Sequence, residues 1–253
     1  ILTHYPNDLQ IAADITRQEA WTERDGVQVV IPDDVRMLVE EVSLAARESE
    51  LVDQSSGVSA RVAISALELL VSNLERRALA TGEPRVFPRL CDLQMLLPAI
   101  TGKVEMVYEG EQQGAEVVAR RLVGQAVKKI FDARYPEVGK EVGSGGDDDK
   151  GPYTSIIRWF ADGNSITLSD EQPFAEYEAE MQKVPGLSDL VERYQRGKSR
   201  EERSIAAEMV LEGLHQHLKL SRQDLDSQVS YKEMIKFQLL KPHKRGGRSG
   251  DVN

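Results

Sequence analysis

The amino-acid sequence predicts an all-α protein, on three observations. Apolar residues recur at helical spacing through most of the chain, helix-start and helix-stop signals bracket those segments, and β-branched runs of strand type are nearly absent. The one strand-like run, Val27 to Ile31, reads as an extended approach to Pro32. The 253 residues, 40% hydrophobic and 29% charged, have globular composition and a length that suits one large domain or two small ones.

Pro32 followed by Asp33 and Asp34 starts the first clear helix, because proline is tolerated in a first turn and carboxylates favour the positive end of the helix dipole. Val35, Leu38, Val39 and Val42 follow at helical spacing, and the helix is expected to reach Leu51. After the polar turn Asp53-Gln54-Ser55-Ser56-Gly57, a longer helix carries Val62, Ala66, Leu69 and Leu70, flanked by Leu67, Val71 and Leu74. Its wide apolar arc predicts a central position. Gly82 and Pro84 close it, the first by turning left-handed and the second by being unable to continue. Pro88 opens a third helix with Leu93, Leu96, Leu97 and Ile100 on one face, which Pro98 should end or kink. The polar stretch from Tyr108 to Gly114 separates this bundle from an amphipathic helix. Val123, Val127, Ile130 and Phe131 line that helix before Tyr135-Pro136 stops it.

Composition then changes: Gly143 to Gly151 is almost devoid of apolar side chains and reads as a flexible linker. Beyond it, Ile156, Ile157, Trp159 and Phe160 form an apolar knot, followed by helical patterns at 173–184, 186–195, 202–220 and 229–240. The division that results is a helical domain over 1–107, a connecting amphipathic helix over 108–140 and a linker over 141–151. A C-terminal helical region over 152–240 and a basic, disordered tail over 241–253 complete it.

A formal net charge of −10 argues against a nucleic-acid or anionic-membrane surface as the main partner, since both call for cationic patches. The exception is local, Lys241 to Arg248, which reads as a frayed end. Cys91 has no second cysteine to pair with and lies in an apolar stretch, which fits a buried thiol in a reducing, cytoplasmic setting. No apolar run approaches the roughly 20 residues that cross a bilayer. The segment beginning at Ile1 reads as the interior of a longer chain.

The most informative motif is Ser56-Gly57-Val58-Ser59-Ala60-Arg61-Val62, a tight polar turn that delivers an arginine into the first turn of the central helix. A guanidinium at that edge can reach a phosphate held by another domain; a solvated or salt-bridged arginine is the plainer reading of the same residue. Three landmarks stand in order along this part of the chain. They are Ile31-Pro32-Asp33-Asp34-Val35, the turn ending at Arg61, and Arg85-Val86-Phe87-Pro88-Arg89-Leu90-Cys91-Asp92-Leu93. Together they resemble the helical lid of AAA+ ATPases of the magnesium-chelatase and MoxR type.

The resemblance implies an AAA+ helical lid bundle over 1–107, with Ile11 to Trp21 as its first helix and Thr3-His4-Tyr5-Pro6 as the connection from a preceding core. It implies that Arg61 is the nucleotide-sensing (sensor 2) residue, positioned by Gly57 and Ser59. ATP and Mg2+ would be held by that core, whose P-loop, acidic strand end and arginine finger are not in this chain. The implied function is to couple ATP binding and hydrolysis to remodelling of a partner or to metal insertion. The implied partners are the chain's own N-terminal core, a ring of like subunits and a von Willebrand factor A-type domain protein. This chain by itself would hydrolyse nothing. The alternative class is a helical protein-interaction or scaffold module that makes no nucleotide contact.

Other motifs carry less. Gly197-Lys198-Ser199 ends like a P-loop, but the place of the first glycine holds Glu192. Asp147, Asp148 and Asp149 lack the glycine and the later glutamate of a calcium loop, so no metal site is expected. His215 and His217, two apart on a helix, point about 200° apart and cannot share one ion. Trp159 and Phe160 are expected in a core rather than a partner groove. No serine, histidine and carboxylate set stands out, and no catalytic residue is assigned.

Overall fold

The computed structural model describes residues 6, 8–139, 151–225 and 228–234. Residues 1–5, the predicted linker up to Lys150 and the basic tail lie outside the described residues, as do Asp147, Asp148 and Asp149.

The chain is mostly helical. Helix α1 (Leu9–Glu19) is capped by Asp8, whose carboxylate accepts the N–H groups of Gln10 and Ile11 at 2.8 and 3.0 Å. Helix α2 (Asp33–Glu48) begins directly after Pro32 with Asp33 and Asp34 in its first turn. Helix α3 (Arg61–Thr81) ends at Gly82, which is left-handed at φ 74°. Val62, Ala66, Leu67, Leu70, Val71 and Leu74 are all buried along α3, the central position that its apolar arc predicted.

The expected third helix is two pieces: a 3₁₀ helix over Leu90–Leu96 and a short helix α4 (Leu97–Thr101). Pro98 sits in the first turn of α4 rather than ending a helix. A first-turn residue needs no intrahelical N–H partner, so the ring is accommodated there. Helix α5 (Tyr108–Gln113) lies within the stretch read as polar spacer, and α6 (Ala115–Arg134) follows with Val118, Leu122, Val127 and Phe131 buried. After Gly151 come α7 (Thr154–Ala161), α8 (Phe174–Gln182), α9 (Leu187–Tyr194) and α10 (Arg200–Gln216).

The all-α expectation needs correction, because two small sheets are present. Strands β1 (Gln28–Val29) and β2 (Arg85–Val86) pair in parallel, so the run before Pro32 is a strand as well as an approach. Strand β3 (Ile166–Ser169) and the hairpin strands β4 (Leu220–Leu225) and β5 (Gln228–Glu233) form an antiparallel sheet in the order β3-β5-β4. The helix expected over 229–240 is therefore a strand in its described part, and the helix expected to reach 220 stops at Gln216. The physical reason is the alternation of Val229 and Tyr231 with polar neighbours: both side chains point to one face and are buried there, as are Ile166 and Leu168 of β3.

Two apolar cores result. One is built by α2, α3, α4, α6 and the 3₁₀ helix, and takes in Ile205 and Met209 of α10. The other is built by α7 to α10 and the three-stranded sheet, and takes in Cys91 of the 3₁₀ helix with Phe131 of α6 and Tyr135 just after it. Phe160 is wholly buried in the second core, with Trp159 edge-on to it at 5.0 Å. Among the described residues no helix is long and apolar enough to cross a membrane.

The segment resembling a P-loop end has a structural role. Ser199 caps α10 in a reciprocal box with Glu202: its hydroxyl accepts the Glu202 N–H at 3.2 Å, and its own N–H donates to the Glu202 carboxylate at 2.9 Å. Lys198 pairs with Asp34 of α2 at 2.7 Å, and Arg134 of α6 pairs with the same carboxylate at 2.8 Å. Burial opposes ionisation of Asp34, but these two cations hold its carboxyl below the usual range. Ser199→Ala removes one arm of the cap and should lower the unfolding free energy by about 1 kcal/mol, read as a shift of the urea midpoint.

Candidate functional site

The predicted site residues occupy one loop, and the structure brings them together. Asp53 Oδ1 accepts both the backbone N–H (2.8 Å) and the hydroxyl (2.6 Å) of Ser55, which holds the Asp53 carboxyl below its ordinary range. The Ser56 hydroxyl donates to Glu105, and the Asp53 N–H donates to the Glu105 carbonyl at 2.9 Å, so the loop is tied to the segment before α5. Gly57 sits at φ 70°, a conformation that a side chain would strain, and the reversal it allows turns Val58 inward, where it is 1% exposed. Arg47 of α2 donates from Nε to the Val58 carbonyl at 3.1 Å and from a terminal nitrogen to the Pro6 carbonyl at 3.2 Å. The Ser59 hydroxyl accepts the Arg61 N–H at 3.3 Å, and the Ser59 carbonyl takes the first N–H of the helix turn, from Val62 at 3.0 Å.

Arg61 thus starts α3 on a loop held from both sides, with its side chain exposed. Among the described residues its guanidinium has no ion-pair partner. A fixed backbone, a permanently charged fork of donors and the positive end of a 21-residue helix suit an oxyanion presented from outside the chain. Among the described residues no group of three or more His, Cys, Asp or Glu could hold a metal ion.

At its other end α3 enters a buried polar junction that the sequence did not point to. Arg77, 1% exposed, donates to both oxygens of Asp92 at 2.7 and 2.9 Å, and Asp92 is wholly buried. Asp92 also accepts from Asn73 at 3.1 Å and from the Arg89 N–H at 2.8 Å. Asp170, after β3, lies beside them: Arg76 reaches it at 2.9 Å, and Arg77 donates to its carbonyl at 3.3 Å. Burial pushes the Asp170 carboxyl up and Asp92 adds to that push, against Arg76 and Asn73. Arg89 donates to the carbonyls of Ser169 and Gln172 at 2.7 Å each while its guanidinium lies over the Tyr177 ring at 4.5 Å. Glu208 of α10 completes the junction.

A cleft of about 130 Å3 opens beside this junction, with Leu90, Leu93 and Val127 as an apolar floor and Glu212, His215 and Arg222 on its polar wall. Its charges satisfy one another: Arg222 pairs with Glu212 at 2.8 Å and with Asp224 at 2.7 Å, and the Tyr231 hydroxyl donates to Glu212 at 2.8 Å. His215 lies 3.1 Å from the Leu220 carbonyl, whereas His217 meets Asp132 at 2.6 Å. The two histidines serve separate contacts.

Cys91 is buried, and burial followed by Glu208 and Asp92 pushes its thiol well up, so it is inert as a nucleophile. The chain matches no protein-family model, no curated protein and no solved structure.

Proposed function

We propose that this chain is the lid-side part of an AAA+ ATPase of the magnesium-chelatase and MoxR type, in which Arg61 contacts the γ-phosphate of ATP bound to a preceding core. The observation that carries the reading is the exposed Arg61 guanidinium at the start of α3, on a loop fixed by Asp53, Arg47 and Ser59. A cation carried on a fixed backbone lowers the energy of charge building on phosphoryl oxygens when a phosphate is brought within its reach. ATP would supply the phosphoryl group and Mg2+ would neutralise its oxygens. In this reading their ligands belong to that core, and Arg61 offers donors only. In this reading the lid turns hydrolysis into motion of α3, and the ring of subunits and a von Willebrand factor A-type partner carry that motion to the remodelled protein or inserted metal. The setting is cytoplasmic.

The test uses the longer polypeptide that includes the nucleotide-binding core. A hydrogen bond to a charged group is worth roughly 1.5–3 kcal/mol. Arg61→Ala should therefore slow ATP turnover by about 10- to 150-fold, while Arg61→Lys retains part of the rate. Turnover within twofold of wild type in Arg61→Ala would remove the assignment and leave the helical interaction module as the reading.

A further inference from the structure

Glu208 has no exposed surface, yet three donors converge on its carboxylate. Oε2 accepts the Leu90 N–H at 2.7 Å and the Tyr177 hydroxyl at 2.6 Å, and Oε1 accepts the Cys91 N–H at 2.9 Å. Leu90 and Cys91 open the 3₁₀ helix, so a helix of the second core closes the N-terminal end of an element that packs in the first. The Tyr177 hydroxyl also lies 3.4 Å from the Ser204 carbonyl, one turn back along α10. It therefore has two settings. It can donate to an ionised Glu208, or it can turn to Ser204 and accept the proton of a neutral Glu208. The cluster can satisfy either protonation state by rotating one O–H, with no heavy atom moving.

We propose that Glu208 is a proton-operated latch between the two cores: protonated, it keeps α8, α10 and the 3₁₀ helix closed on one another, and ionised, it lets that junction open more readily. This holds whether or not the chain serves a nucleotide. The charged and titratable groups around Glu208 are Cys91 and Asp92 on the 3₁₀ helix and Arg89 at its cap. The others are Tyr177 on α8, Glu212 one turn along α10, Arg222 on β4 and Tyr231 on β5. Burial is the largest influence on Glu208 and raises its carboxyl from 4.5 to about 7; the Tyr177 hydroxyl and the Leu90 N–H oppose it, Asp92 adds to it and Arg222 opposes. Burial pushes Cys91, Tyr177 and Tyr231 well up, so they stay neutral while Glu208 titrates.

The sign follows from linkage. Below pH 4.5 the carboxyl carries its proton in both the closed and the opened state, and the latch contributes fully. As the pH rises toward 7 the opened state gives up its proton while the closed state retains it, so closure weakens. Above about 7 both are ionised and the loss is complete.

The experiment uses the whole chain with 13C at the glutamate side-chain carboxyls. One carboxyl signal should titrate near pH 7 and vanish in Glu208→Gln. Amide exchange at Leu90 and Cys91, corrected for intrinsic rates, should lose protection between pH 5 and 7.5, by up to tenfold per pH unit, as expected for one linked proton. As a control for a side chain outside the cluster, His217→Gln, at the residue that meets Asp132, must show the same loss. An ordinary Glu208 titration near 4.5, or protection that stays constant across the window, overturns the latch. The exchange reading at Leu90 and Cys91 comes from the unaltered protein, so it decides even where Glu208→Gln does not fold.

Discussion

Asp92→Ala should destabilise the protein by roughly 3–5 kcal/mol, the cost typical of breaking a buried ion pair by removing one partner. Four donor contacts reach this wholly buried carboxylate: two from Arg77, one from Asn73 and one from the Arg89 backbone. In the variant the Arg77 charge stays buried with only the carbonyls of Asp170 and Phe87 left to it, and the Arg89 N–H at the start of the 3₁₀ helix loses its acceptor. Relaxation is limited because α3 and the 3₁₀ helix are packed through Leu70, Leu74, Leu93 and Leu96, so water cannot reach the cation without opening the first core. Chemical denaturation followed by circular dichroism checks this. The double variant Arg77→Met with Asp92→Leu should recover part of the loss by removing both charges, though not all, since the Arg89 N–H still lacks an acceptor and Asn73 keeps only its 3.4 Å contact with Asp170. A loss below about 1 kcal/mol in Asp92→Ala would mean that the pair is not desolvated as its burial indicates.

The parts of this structure legible in sequence are those where periodicity and punctuation agree. Pro32 with two aspartates and Gly82 each mark a helix boundary within one or two residues, and the α3 arc identified the central helix. The β4–β5 hairpin was not legible, because Val229 and Tyr231 alone give too few apolar positions to separate period 2 from a weak helical pattern. Their burial against α7 and α10, which the local sequence does not encode, decides the matter. The candidate turn was readable because its meaning is local: a left-handed glycine, a serine and an arginine within five residues. The junction was not. Glu208 and Glu212, four apart on a helix, look like a solvated stripe, and their acceptor roles depend on residues more than a hundred positions away for Leu90 and Cys91. In the structure all α10 residues from Ser204 to Leu214 except Ala206 are buried, so the charges there find partners inside, which the local sequence does not show.

Gly213→Ala should destabilise by about 3 kcal/mol, at the upper end for overpacking, although intrinsic propensity alone favours alanine in a helix by roughly 1 kcal/mol. A Cβ on Gly213 would stand 2.2, 2.3 and 2.8 Å from three ring atoms of Phe131, far inside contact distance. The ring cannot step aside. It is wholly buried, with Tyr135 at 5.3 Å, Tyr153 at 5.9 Å and His217 at 5.7 Å between ring centres. The missing side chain is thus what lets α10 approach α6 closely enough to share Phe131 between them. The opposed signs make the outcome informative: thermal or urea denaturation showing Gly213→Ala to be more stable than wild type would place the two helices further apart than described. If the clash is the cause, Phe131→Leu made together with Gly213→Ala should be less damaging than the sum of the two single changes. The double variant should fall short of the summed losses by about 0.5 kcal/mol or more, as expected for side chains in direct contact, where couplings are of order 0.5–3 kcal/mol. Strict additivity would instead trace the loss to α10 alone.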